Sequence, residues 1–379
     1  VPESLLTLFS PHGFPDIQKP DASRIPWNLP GFRPYQKLHT AYSWLTISAA
    51  SVFRCSVAAP GSSAAKMADT IRRMEDVTLY ACASRTQERA NCFANDYNCY
   101  KAYGSAEDML QDREVDLVYI ATPNFAHYDN TIACLRHGKA VLCEKPFALN
   151  YTQAKEMIEL ATEKHILLAE AMWMRYQPLA AKIVELINEG VIGKPRLLLA
   201  NKGEADLAPE GLNPATGGST LLNMGVYAIN DAFLAFGSNV LNVSTSRIML
   251  ESGTDGANSI TLEYPDGKLA ILSSSLIAPT GNRWYICGEN GMLEIKGLSR
   301  LQSITQYNRK REKVCEYKAE ENYTGYEYEI LACKKALLNG DIECPEMPHS
   351  ETLAVMKLMD SIRETWKMTF PCEKEYYRV

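Results

Sequence analysis

The chain lacks any apolar run of the about eighteen residues that a bilayer-spanning helix needs, so no membrane segment is expected among its 379 residues. It lacks an excess of positive charge. Lys and Arg number 39 against 45 Asp and Glu, a net charge of −6, which offers no basic surface to nucleic acid. Its 11 cysteines include no Cys-x-x-Cys pair and its six histidines form no cluster at ligand spacing, so no metal is expected. Cys82, Cys134 and Cys143 lie in apolar stretches, where a free thiol behaves as a small hydrophobe. An odd cysteine count without a disulfide framework fits a reducing compartment, and the cytoplasm is the expected location. Internal repeats are absent too.

What is present divides into three stretches. Residues 1–34 carry seven prolines, too many for a helix or an inner strand, and residues 1–53 read as a poorly ordered N-terminal extension. From Arg54 short apolar runs alternate with helical periodicity: RCSVAA, VTLYACAS, VDLVYIATP, KAVLCEKP and ILLAEAMW as strands, with amphipathic helices between them. KAYGSAEDMLQD reads as a connection, Gly138 as a helix C-cap and Thr152 as a helix N-cap. Near-continuous apolar strands in this rhythm predict a parallel sheet covered on both faces. After about residue 195 strands are joined by tight turns such as Pro265-Asp266-Gly267 and Glu289-Asn290-Gly291, which predicts an antiparallel sheet flanked by helices. The fold class is α/β: a Rossmann dinucleotide-binding domain over 54–172, then an α+β domain over 173–379 with a large, mostly antiparallel open sheet.

Three sites carry the chemistry. The turn after the first strand, Ala59-Pro60-Gly61-Ser62-Ser63-Ala64, has the small residues that let a backbone approach a pyrophosphate at a helix N-terminus, although a small-residue turn without function has the same composition. The second strand ends in Ser84-Arg85 rather than in a carboxylate. A hydroxyl and a guanidinium suit the extra phosphate of NADP, with NAD as the alternative cofactor; the bland reading is a solvent-facing helix start. Glu144-Lys145-Pro146 ends the fourth predicted strand, at the sheet edge where ligands of open parallel sheets bind. There Lys145 reaches a substrate oxygen, Glu144 orients it and Pro146 fixes the backbone. A surface ion pair is the alternative.

The motifs CEKP, ATPNFAH, EAMWMRYQP and GGSTLLNMGVY, in this order, resemble the Gfo/Idh/MocA oxidoreductase family, from about Arg54 to Pro371. The likeness is greatest to the branch of dimeric dihydrodiol dehydrogenases and NADP-dependent D-xylose dehydrogenases. It implies that Lys145 is catalytic and followed by a cis proline. It further implies that Thr122, Pro123, Asn124 and His127 border the nicotinamide ribose and that Trp173 and Arg175 contact the cofactor. From the residues alone, Trp173 reads as a core aromatic and His127 as a helix-start residue. In GGSTLLNMGVY the resemblance places two substrate-facing groups four residues apart on a helix, Asn223 and Tyr227, with asparagine where the family carries aspartate. Tyr227 is expected to be the acid/base, its phenol pKa lowered by the Lys145 ammonium, and Asn223 to hold a substrate hydroxyl. The expected activity is NADP-dependent hydride transfer to or from a hydroxyl carbon of a sugar, polyol or trans-dihydrodiol. A catalytically weakened NADP-binding regulator of the same fold is the alternative. The expected partners are a small-molecule substrate and a second copy of the chain, docked through the C-terminal sheet.

Overall fold

The apolar runs from residue 53 onward become Phe53–Ala58 (β1), Val77–Ala83 (β2), Lys101–Tyr103 (β3), Leu117–Ile120 (β4), Ala140–Glu144 (β5) and Leu168–Ala171 (β6). They form one parallel sheet in the order β3-β2-β1-β4-β5-β6. The computed structural model describes residues 53–58, 62–205, 209–320 and 324–376; the extension expected over 1–53 falls, up to residue 52, outside them. β4 and β5 are buried at every position because helices cover both faces: Ser62–Ile71 (α1), Gln87–Tyr97 (α2), Ala106–Leu110 (α3), His127–Arg136 (α4) and Tyr151–Lys164 (α5). The strand order reverses between β1 and β4, which opens a crevice at their carboxyl ends.

Two local readings change. The KAY of the expected connection is β3, paired in parallel with β2 through Ala102 opposite Cys82; at three residues it is too short to show a period. Asn150, not Thr152, caps α5. Its Oδ1 accepts from the Gln153 amide at 3.0 Å while Gln153 Oε1 accepts from the Leu149 amide at 3.1 Å, a reciprocal pair that leaves Thr152 inside the helix. Gly138 does end α4, at φ 74°, where a side chain would be strained.

Helix Pro178–Asn188 (α6) leads to the second sheet, built from Pro195–Gly203 (β7), Asn242–Met249 (β8), Asp255–Glu263 (β9), Leu269–Ser275 (β10), Arg283–Gly288 (β11), Gly291–Lys296 (β12), Ser303–Asn308 (β13) and Lys313–Lys318 (β14). Its order is β14-β13-β12-β11-β7-β10-β9-β8, antiparallel except where β7 and β10 run parallel. Burial alternates along β10, with Ala270 and Leu272 inward and Ile271 outward, the signature of a sheet packed on one face only. Val226–Phe236 (α7) lies on the packed face. The chain closes with Glu327–Asn339 (α8), His349–Trp366 (α9) and Pro371–Tyr376 (α10). No helix among the described residues is long and apolar enough to cross a membrane.

The last two helices grip the segment that follows β5. Arg363 of α9 donates from Nη1 to the Leu149 carbonyl at 2.6 Å and from Nη2 to Glu373 of α10 at 2.5 Å. Glu373 in turn accepts from Asn150 Nδ2 at 3.0 Å and from the Phe370 amide at 2.9 Å. Both charged side chains are nearly buried, at 6% and 11% exposure. Removing one partner strands the other in a low dielectric. Arg363→Met is expected to lower unfolding free energy by about 3–5 kcal/mol in urea titrations; a loss under about 1 kcal/mol would place the pair in the solvent-screened class.

Candidate active site

Burial makes the end of β5 unusual. Val141, Leu142 and Cys143 are fully buried, and the carboxylate that follows is only 8% exposed. Each oxygen of Glu144 has a donor: Tyr119 of β4 gives its hydroxyl to Oε1 at 2.5 Å, and the Lys145 backbone amide gives to Oε2 at 3.1 Å. Desolvation still pushes the Glu144 carboxyl above the usual carboxylate range, against the Lys145 charge and these hydrogen bonds. Glu144 thus hydrogen-bonds the Lys145 backbone amide and acts on the ammonium through its charge. The Lys145-Pro146 bond is cis. Behind it His127 is buried, with Nδ1 2.8 Å from the Pro146 carbonyl and Nε2 2.9 Å from the Thr122 carbonyl. His127 ties the turns after β4 and β5 together, and its burial lowers its pKa.

The segment facing Lys145 is GGSTLLNMGVY. The expected α-helical pair does not form there. Leu221–Gly225 is a turn of π-helix that runs into α7, a geometry common at functional sites. Asp255, fully buried, accepts from the Leu221 amide at 3.1 Å, and Ser219 Oγ accepts from the Leu222 amide at 3.1 Å, which fixes the wide turn. Lys145 Nζ then donates to the main-chain carbonyl of Asn223 at 3.3 Å. The Asn223 side chain is engaged elsewhere, its Nδ2 donating to the Gly211 carbonyl at 2.8 Å.

Tyr227 sits in the first turn of α7 with Lys145 Nζ 5.2 Å and Lys202 Nζ 5.6 Å from its ring centroid, within cation–π range. Trp173 Nε1 donates to its hydroxyl at 3.1 Å, and the Trp173 ring stacks on Tyr326 at 4.7 Å. The expectation that Lys145 lowers the Tyr227 pKa is overturned. Tyr227 is 7% exposed, and desolvation, followed by the Glu144 charge, raises its phenol well above the ordinary value. The group shifted downward is Lys145: desolvation of its ammonium leads, Glu144 opposes and Lys202 adds to the shift.

The remaining candidates scatter. Ala59, Pro60 and Gly61 lie outside the described residues, as does the side chain of Ser62, whose backbone starts α1. Ser63 is half-buried and Ala64 fully buried. Ser84 is buried at the end of β2, its amide bonded to the Tyr103 carbonyl at 3.0 Å, and Arg85 beside it is exposed with no ion pair among the described residues. Thr122 is half-buried and Pro123 exposed, while Asn124 Nδ2 donates to the Gly217 carbonyl at 3.0 Å. There Gly217 has φ 74°, and a Cβ would lie 2.3 Å from Leu149 Cδ2. Arg175 is buried, its guanidinium bonded to Glu351 and to the Glu346 carbonyl, which braces α9, while Nη1 has no partner among the described residues. Tyr119, Tyr326, Lys202 and Glu204 escaped the sequence reading. Lys202 had a signal, since it follows Leu198 and Ala200 on the inward face of an alternating strand, where a lysine is rare.

The pattern described as "Oxidoreductase family, NAD-binding Rossmann fold" matches residues 53–171, and that of the "GFO/IDH/MocA C-terminal domain" matches residues 180–294. The trans-1,2-dihydrobenzene-1,2-diol dehydrogenase of Xenopus tropicalis is 31% identical over 78% of this chain and 92% of its own length. The human enzyme of the same name is 29% identical over 80% of this chain and 93% of its own. Among solved structures, the aldose-aldose oxidoreductase of Caulobacter crescentus shares the fold with a TM-score of 0.75 at 20% identity, covering 83% of this chain and 97% of its own. KijD10, a 3-ketoreductase from Actinomadura kijaniata in complex with NADP and TDP-benzene, does so at 0.74 and 22%, covering 83% of this chain and 98% of its own. The chain belongs to the Gfo/Idh/MocA oxidoreductase family.

One strand further along the sheet, Glu170 of β6 is 2% exposed; its Oε2 accepts from Thr352 Oγ1 at 2.8 Å and its Oε1 has no partner among the described residues. Desolvation raises its pKa from 4.5 to about 7, against the Thr352 hydroxyl and Arg175. The folded chain therefore holds this proton more tightly than the unfolded one. The stability it contributes is full below pH 4.5 and is lost as pH rises through about 7. Glu170→Gln keeps an acceptor for Thr352 and cannot ionise. Its melting temperature relative to wild type is expected to rise between acidic buffer and about pH 8; a pH-independent difference in thermal scans would contradict the assignment.

Proposed function

We propose that this Gfo/Idh/MocA oxidoreductase transfers a hydride reversibly between NADP(H) and a hydroxyl carbon of a sugar, polyol or trans-dihydrodiol. The observation that carries the reading is Lys145 beside Tyr227, with Nζ 5.2 Å from its ring, at the carboxyl end of β5 where ligands of open parallel sheets bind. The names of the amphibian and human relatives support a hydroxyl-bearing substrate.

The described residues suit a dinucleotide. β1 ends at Ala58 and α1 begins at Ser62, so a helix N-terminus follows the first strand closely enough to serve a pyrophosphate. β2 is followed by Ser84-Arg85, with no carboxylate there and an exposed guanidinium that has no ion pair among the described residues, which favours a ribose 2′-phosphate over a free 2′-hydroxyl. The nicotinamide, when bound, supplies hydride acceptance and donation.

The protein manages position and one proton. Burial destabilises the Lys145 ammonium, and the neutral amine, its Nζ held by the Asn223 carbonyl, takes the hydroxyl proton in the oxidation direction and becomes the ammonium. Tyr227, its pKa raised, keeps its own proton. Its oxygen, fixed by the Trp173 indole, donates a hydrogen bond to the same substrate oxygen. Trp173 and Tyr326 form an aromatic wall beside this point. A homodimer through the second sheet fits its outer face, where Leu197, Leu199, Ile271 and Tyr285 lie together without a cover among the described residues.

In wild type, kcat/KM for oxidation is expected to rise with pH along a limb centred below an ordinary lysine pKa of about 10.4. Lys145→Met should lower kcat/KM by about 10²–10⁴-fold and abolish the limb, whereas Tyr227→Phe keeps it. A limb that survives in Lys145→Met assigns the proton elsewhere. Arg85→Ala should weaken NADPH binding about tenfold in fluorescence titrations and leave NADH binding unchanged; equal loss for both would remove the 2′-phosphate assignment.

A further inference from the structure

We propose that Lys202 and Glu204, which hydride transfer leaves without a task, form a second anchor that reads a neutral hydroxyl adjacent to the one that reacts. The proposal rests on the hydride-transfer reading above and names the substrates it favours: vicinal diols and sugars over simple alcohols and over sugar acids.

β7 turns Leu198, Ala200 and Lys202 toward the packed face, and the Lys202 side chain is 6% exposed. Lysine is almost never that buried without a partner. The strand's end carries it to Tyr227, whose ring lies 5.6 Å from Lys202 Nζ and 5.2 Å from Lys145 Nζ. Two ammonium groups thus share one tyrosine. One is committed to the reacting oxygen.

The other has a defined set of partners. Lys202 Nζ donates to Glu204 Oε1 at 2.7 Å and to Ser299 Oγ at 3.2 Å. An ammonium has three protons, so one remains for a ligand. The Glu204 side chain is 41% exposed, and a carboxylate has more lone-pair sites than this one donor fills. A donor and an acceptor therefore stand side by side at hydrogen-bonding distance. Oxygens on neighbouring carbons in a gauche arrangement have a similar spacing, and a hydroxyl both accepts and donates. The hydroxyl next to the reacting one can therefore accept a hydrogen bond from Lys202 and donate its own to Glu204.

Charge decides against an anion. A lone Lys202 would attract a carboxylate or phosphate, but Glu204 cancels its charge and would repel either group. The Asn223 amide adds no charge. The pair therefore sorts neutral polyhydroxyl substrates from acidic ones, and because a site built to hydrogen-bond a hydroxyl leaves its polar groups unpaired against an analogue that lacks it, it also rejects simple alcohols.

The test compares trans-cyclohexane-1,2-diol with cyclohexanol in wild type, Lys202→Met and Glu204→Gln. NADP⁺-dependent oxidation is measured alongside binding to the enzyme–NADPH complex by fluorescence. Wild type is expected to prefer the diol in kcat/KM by about tenfold or more, the worth of about 1.4 kcal/mol. In both variants the ratio falls toward one, chiefly through KM, while NADPH affinity is retained as evidence of an intact fold. Glu204→Gln, half-exposed and isosteric, keeps the test valid if Lys202→Met folds poorly. A ratio unchanged in the variants overturns the anchor and leaves hydride transfer standing, as does faster wild-type turnover of gluconate than of the diol. If wild type binds NADPH but oxidises neither alcohol, the hydride-transfer reading fails. Diol binding then decides the anchor: weaker binding in both variants supports it, and equal binding in all three proteins overturns it.

Discussion

A charged pair at the end of a buried strand is the constraint on which the rest depends. Moving a carboxylate out of water costs several kcal/mol unless its oxygens are satisfied. Glu144 meets that cost with the Tyr119 hydroxyl and the Lys145 backbone amide, so its charge goes into holding the chain at the point where Lys145 leaves the sheet. Successive residues beyond are gripped in turn: the Pro146 carbonyl by His127, the Leu149 carbonyl by Arg363, the Asn150 side chain by Glu373 and the Tyr151 amide by Asp360 at 2.7 Å. A long, flexible side chain becomes a positioned one because the backbone beneath it has little freedom.

Most of that grip comes from sequence far away. α9 and α10 follow the second sheet yet clamp the segment after β5, and Arg175, at the start of the second half, is held by Glu351 of α9. The two sheets therefore share one site whose walls each half supplies in part: Lys145 from the parallel sheet, Lys202 from the other, with Tyr227 between them on α7. Electrostatics follows from this burial. Desolvation lowers Lys145 and raises Tyr227, which separates a group that releases its proton readily from one that retains it, though Lys145 Nζ lies 5.2 Å from the Tyr227 ring centroid.

The strand–helix rhythm and the turn-punctuated second sheet were legible because their signals are local and several residues long. β3 was not, since three residues show no period and Lys101–Tyr103 is a strand only because β2 offers an edge. The π-turn at Leu221–Gly225 was illegible for a different reason: Asp255, 34 positions downstream, supplies the carboxylate that fixes it. The Arg175–Glu351 bond was illegible because its partners lie 176 positions apart. The direction of the Tyr227 shift required knowing that the ring is buried, which outweighs a neighbouring cation. Lys202 was within reach of the alternation in RLLLANK, since it follows Leu198 and Ala200 on the inward face.

Asn223 gathers these strands of argument. The family resemblance expects an aspartate there, and loss of that charge suggested a weakened site. In the structure Lys145 meets the main-chain carbonyl of residue 223, which any side chain would present. The amide Nδ2 instead donates to the Gly211 carbonyl at 2.8 Å, a bond an ionised aspartate cannot make because it has no donor. Asparagine thus exchanges a charge for a tie to the 209–212 loop. The negative charge absent at residue 223 is present at Glu204, 2.7 Å from the second ammonium, so the region around Tyr227 retains a carboxylate while its position shifts from the π-turn to the end of β7. On the proposed reading, what changes is where a substrate hydroxyl sits, and the proposed pair of Lys145 and Tyr227 is left as it was.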